Sequence, residues 1–148
     1  IPQKQNEDSL RQREIQISRI DRRRLKELLV VAKTFIGGNL PFHLTELEEE
    51  LNRAKIVEPA SIPPDLVTMN TRVHIEEIDT EIQCIGALVY PADLERSPEN
   101  VSILDPLGAR LLGRRMGDVF SIPAGGGEKK YRIAGIAYQP EAAGDFHL

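Results

Sequence analysis

The sequence predicts an α+β protein: a short antiparallel helical hairpin of the coiled-coil kind, then a mostly antiparallel β domain holding one short helix. Three observations predict it. Apolar residues recur at helical spacing before residue 58 and at strand spacing after residue 66. Three prolines fall within residues 59–64, where they forbid both a helix and a central strand. Glycines and prolines then punctuate the second half at turn positions.

Residues 1–14, IPQKQNEDSLRQRE, are polar and carry no apolar signal core, so they read as a disordered tail. In the next segment Leu25, Leu28, Leu29 and Ala32 fall at i, i+3, i+4 and i+7, one helical face. Either Asp21 or Ser18 suits the N-cap. Gly37-Gly38 stops this helix, with Pro41 soon after. A second helix runs from about Phe42 to Lys55 on the stripe Leu44, Leu47, Leu51 and Ala54. The loop between the helices is short, which favours an antiparallel hairpin over residues 15–58. Each helix is read as about 12 to 14 residues, roughly 20 Å long.

Residues 59–66 read as a Pro-rich linker, and residues 67–148 as the β domain. There Val73 and Ile75 alternate with His74 and Glu76. The run Ile82 to Tyr90 is apolar on both faces, the pattern of a central strand. Val101 to Leu104 forms a short strand, and Pro106 to Leu112 a short helix stopped by Gly113. Val119 to Ile122 and Lys129 to Tyr138 are strands around a Gly125–Gly127 turn.

Composition narrows the function. A length of 148 residues allows one or two small domains, and a net charge of −4 argues against generic duplex binding. The lone Cys84 excludes an intrachain disulfide; within its apolar run it reads as a buried small hydrophobe, in keeping with a reducing cytoplasm. Histidines stand only at 43, 74 and 147, so no Cys/His zinc pattern arises and no metal or cofactor is expected. No apolar run approaches the roughly 20 residues of a spanning helix, so no membrane partner is expected. No nucleophile with a base can be argued from spacing, and the three glycines lack the Lys-Ser/Thr of a phosphate loop. The reading is a monomeric cytoplasmic binding protein, not an enzyme.

The basic run Arg22, Arg23 and Arg24 is one candidate contact. Three consecutive helical residues spread over most of the circumference, so solvated surface is the simpler account. Pairing with the acidic run Glu46 and Glu48 to Glu50 across the hairpin would also explain both runs. The remaining account is a weak nucleic-acid contact.

Three phrases taken together carry a resemblance: VTMNTRVHIEEI (67–78), LVYPAD (88–93) and ILDPLGARLLGRRMGDVFSIPAGGGEKKYRIAGIAYQPEAAGD (103–145). Their order and spacing resemble the C-terminal domain of the Gre transcript-cleavage factors, a domain with an FKBP-like fold. The phrases DLVTMN, LVYPA and YQPEAAGD are more similar still to the Rnk branch, whose coil is shorter. The resemblance implies docking on bacterial RNA polymerase at the rim of the secondary channel, in competition with Gre factors. It implies that Leu104, Asp105, Pro106 and Leu107 form the docking loop, with Asp105 standing where Gre factors have Ser. Tyr90 and Pro91 match the neighbouring loop. Read without the resemblance, Asp105 caps the short helix, Pro106 starts it, and Tyr90 is a core residue at a strand end. Gre factors carry acids at the coil tip that help hold Mg²⁺. Here residues 34–43, TFIGGNLPFH, contain neither Asp nor Glu, so no cleavage stimulation is expected. Any effect on nucleoside diphosphate kinase would be indirect, through gene expression. A prolyl isomerase on the FKBP-like fold and a nucleic-acid-binding protein are the alternatives.

Overall fold

The computed structural model describes residues 14–146. The expected tail, Glu14 apart, lies outside the described residues, as does His147.

The chain enters through a two-residue strand β1 (Gln16–Ile17) and then helix α1 (Arg19–Ile36). Ser18 is the N-cap: its hydroxyl accepts the Asp21 backbone N–H at 3.2 Å. Gly37, in the left-handed region at φ 70°, ends the helix and donates its N–H to the Lys33 carbonyl. Nothing between those two signals breaks the helix, so α1 has 18 residues rather than the expected 12 to 14. That is about 27 Å. Helix α2 (Phe42–Arg53) follows, and strand β2 (Lys55–Ile56) pairs in parallel with β1. Arg22 meets Leu51 and Lys33 meets Glu48, so contacts run in opposite order along the two helices.

A five-stranded sheet makes up most of the rest. Its strands are β3 (Arg72–Glu77), β4 (Ile82–Val89), β5 (Asn100–Ser102), β6 (Val119–Ala124) and β7 (Gly127–Tyr138). Their spatial order is β5-β4-β3-β7-β6. All pairings are antiparallel except β4 with β5. Ala124 pairs with Gly127 across a two-residue turn in which Gly125 and Gly126 both have positive φ, a conformation that L side chains rarely adopt. The short helix α3 (Pro106–Leu111) lies against β5, and α4 (Pro140–Ala143) follows β7.

The α1 and α2 stripes are not confined to each other. Leu25, Leu29, Leu44, Leu47 and Leu51 join Val67, Met69, Val73, Leu88, Ile103, Leu111 and Ile133 in one buried cluster. The proline-rich residues 59–66 are themselves packed. They hold a 3₁₀ turn (Pro59–Ser61), and Ile62 and Leu66 are buried. Buried Gln139 donates to the Pro63 and Leu66 carbonyls, both at 2.7 Å.

A further expectation fails. Cys84 is exposed, not buried. Strand β4 is interior only over Ala87–Val89, where β5 covers it, because β5 is three residues long. The N-terminal half of β4 therefore has β3 on one side and no neighbouring strand on the other among the described residues.

Candidate functional site

Parallel pairing of β4 with β5 puts the C-terminal ends of both strands side by side, with Val89 opposite Ser102. What leaves those two ends is Tyr90-Pro91 and Ile103-Leu104-Asp105-Pro106. The residues named for docking from two separate phrases thus emerge at one edge of the sheet. Asp105 and Pro106 are exposed there; Leu104, Leu107, Tyr90 and Pro91 are half-buried. Asp105 holds the N-cap position of α3, yet its side chain makes no capping hydrogen bond. Its carboxylate faces outward, so the capping role expected for its side chain is not filled.

The close seat of α3 on β5 depends on Gly108. A Cβ there would stand 1.9 Å from the Ser102 carbonyl oxygen. Helix α2 braces the same edge from the other side. His43 Nε2 donates to the Leu104 carbonyl at 2.8 Å, and Arg110 of α3 pairs with Glu46 of α2 at 2.9 Å.

Tyr90 is tied inward rather than free. Its hydroxyl donates to Asp21 Oδ1 at 2.9 Å. Asp21 is 5% exposed, and burial pushes its carboxyl up to about 6. The Tyr90 bond and Arg24 pull the other way, and Glu141 adds to the rise. Burial first, then the Asp21 carboxylate, raises the Tyr90 phenol well above its ordinary range. The Arg24 charge acts on both groups and favours the ionised form of each. The sequence offers Asp21 as a candidate N-cap. No sequence spacing links residues 21 and 90, so only the fold reveals the pair.

The basic run does not act as a unit. Arg24 belongs with Asp21 and Tyr90, while Arg22 and Arg23 line a shallow groove of about 390 Å³ together with Arg19, Lys26, Glu27 and Ile56. Arg19, Arg22, Arg23 and Lys26 are spaced i, i+3, i+4, i+7, the pattern that found the leucine stripe. Of the acids read as their partners, Glu46 pairs with Arg110 and Glu48 with Lys33.

At the far end of the two helices, Phe35 is 87% and Phe42 74% exposed. Among the described residues no cluster of three or more His, Cys, Asp or Glu is arranged to hold a metal. None of the described helices is long and apolar enough to cross a membrane.

Comparison with known proteins fits this architecture. The family described as Transcription elongation factor, GreA/GreB, C-term matches residues 62–138, and the family described as Rnk N-terminus matches residues 13–57. The regulator of nucleoside diphosphate kinase of Escherichia coli (strain K12) is 41% identical over 104 residues, spanning 69% of this chain and 76% of the relative. The transcription elongation factor GreA of Acidiphilium cryptum (strain JF-5) is 32% identical over 110 residues, 72% of this chain and 65% of that one. The solved structure of the prokaryotic transcription elongation factor GreA/GreB from Nitrosomonas europaea matches with a TM-score of 0.70 at 38% identity, covering 84% of this chain and 98% of that chain. Fold and matches together define a regulator of the transcription-elongation-factor type. The chain belongs to the GreA/GreB family, in the branch that carries the Rnk N-terminal segment.

Proposed function

We propose that this protein docks on bacterial RNA polymerase at the rim of the secondary channel, displaces Gre factors there, and does not stimulate transcript cleavage. The docking face is the sheet edge carrying Tyr90, Pro91 and Leu104 to Leu107, in an FKBP-like domain. Residues 15–58 form the finger of an antiparallel hairpin beside it. Any change in nucleoside diphosphate kinase level is a downstream effect on gene expression.

The convergence of the two loops at one edge is the observation that carries the reading. An exposed, uncapped Asp105 beside an exposed Pro106 is available to a partner, and the capping energy it forgoes is about 1 kcal/mol. Absence of cleavage rests on the tip. A hard cation needs oxygen ligands, and residues 34–43 supply no carboxylate. The nearest acids on α2, Glu46 and Glu48, are held in ion pairs.

The test uses backtracked elongation complexes. Added protein is expected to reduce Gre-stimulated RNA cleavage in a dose-dependent way and to cause none itself. Asp105→Arg and Pro106→Ala are expected to raise the concentration needed for half inhibition by about tenfold, a loss of about 1.4 kcal/mol of docking energy. Cleavage stimulated by the protein alone, or parental potency in both variants, overturns the reading.

A further inference from the structure

We infer that the groove on α1 lined by Arg19, Arg22, Arg23 and Lys26 binds an acidic, extended polypeptide segment. This is a second protein contact, separate from the docking edge and independent of it.

The four cations sit on one helical face in a chain whose net charge is −4. Of the acids on α2, Glu46 is paired with Arg110 and Glu48 with Lys33 rather than with these four. Arg22 is held in place, its Nε donating to the Leu51 carbonyl at 2.8 Å. A guanidinium fixed in this way loses less freedom when a carboxylate arrives. Arg19 and Arg23 are exposed beside it.

Spacing and lining choose the ligand. From Arg19 to Lys26 the helix rises about 10 Å. Alternate side chains of an extended strand lie about 7 Å apart on one side. Two carboxylates at i and i+2 of such a strand therefore reach two guanidinium forks in succession, the pairing geometry that arginine favours. Ile56, 39% exposed, offers an apolar contact alongside, and Glu27 stands among the lining residues as the only acid. Single-stranded nucleic acid is disfavoured because no aromatic ring lines the groove for a base to stack on.

The test is fluorescence anisotropy on the full chain with two probes: a short labelled peptide of alternating glutamate and serine, and a labelled uridine oligoribonucleotide. The peptide is expected to bind at low salt and to weaken as salt rises. Arg19→Glu with Arg23→Glu should weaken it at least about tenfold. Both sites are exposed, and a glutamate at position 19, in the first turn, suits the helix dipole, so the variant keeps its fold. Circular dichroism verifies this. Lys129→Glu with Lys130→Glu makes the same charge change on β7 and should leave peptide binding nearly unchanged. Equal weakening by both pairs, no peptide binding, or tighter binding of the oligoribonucleotide overturns the inference. Because no polymerase is present, failure here leaves the docking reading standing, and loss of polymerase competition leaves the groove standing.

Discussion

Asp21 shows how one buried side chain ties the first helix to the sheet edge. It is placed by the N-terminal turn of α1, and its carboxyl receives the hydroxyl of Tyr90 from a strand end 69 residues away. A carboxylate so buried costs stability in its charged form. Its folded value of about 6 lies above the ordinary 3.8, so between those values the folded protein holds a proton that the unfolded chain has lost. The sign follows: this group lets stability fall as pH rises from about 4 to about 6, and the penalty is fully present above 6. Its size is on the order of 1–3 kcal/mol. Asp21→Asn keeps the acceptor for Tyr90 and removes the charge. It is expected to flatten the slope of urea midpoint against pH in that window and to match or exceed the parent at pH 7. A slope unchanged in the variant would assign the pH dependence elsewhere. At this scale the sequence is least informative. Cys84 reads as buried because its neighbours are apolar, and exposure follows from the length of a strand two elements later. Arg24 reads as one of three equivalent arginines, and its distinct role follows from which way the helix faces.

Elements were far more legible. The leucine stripes locate α1 and α2, and Gly37 marks the stop of α1 because a left-handed residue there is easiest for glycine. The glycine turn between β6 and β7 was equally plain. What the pattern could not give was pairing. The β1–β2 pair joins two dipeptides too short to show any period, and β5 shortens because the chain leaves the sheet at Ile103 to start α3. The seat of α3 leads to a prediction about Gly108. An added methyl would meet the Ser102 carbonyl oxygen, which also accepts the Asp105 N–H at 3.0 Å. Backbone must move, so Gly108→Ala is expected to lose about 1–3 kcal/mol in urea unfolding. Phe35→Ser at the exposed tip serves as the contrast, with a change expected within about 0.5 kcal/mol. A Gly108→Ala protein as stable as the parent would show that α3 is not held where it is described.

Across the whole molecule, the break in composition at residues 59–64 suggests two separable halves, and the packing bears on how they unfold. Leucines of α1 and α2 share one buried cluster with the sheet, and polar links cross between them, among them Tyr90 to Asp21, His43 to the Leu104 carbonyl, and Arg110 to Glu46. Gln139 and Glu141 at the end of the chain bond residues 63, 66 and 68, so the proline-rich stretch is fastened at several points. Two short leucine stripes can bury each other only partly, so the sequence predicts that the hairpin also rests on the β domain; periodicity does not say which residues of that domain share the core. With the core shared, unfolding should be a single cooperative transition. Tyr90, Tyr131 and Tyr138, the chain's three tyrosines, report on the sheet, whereas circular dichroism at helical wavelengths weighs α1 and α2 most. The two signals are expected to give one midpoint. Leu47→Ala, at a site 1% exposed on α2, should lower both midpoints together by an amount corresponding to about 2–5 kcal/mol. If the variant loses its helical signal while the tyrosine transition stays at the parental midpoint, the helices and the sheet are independent folding units.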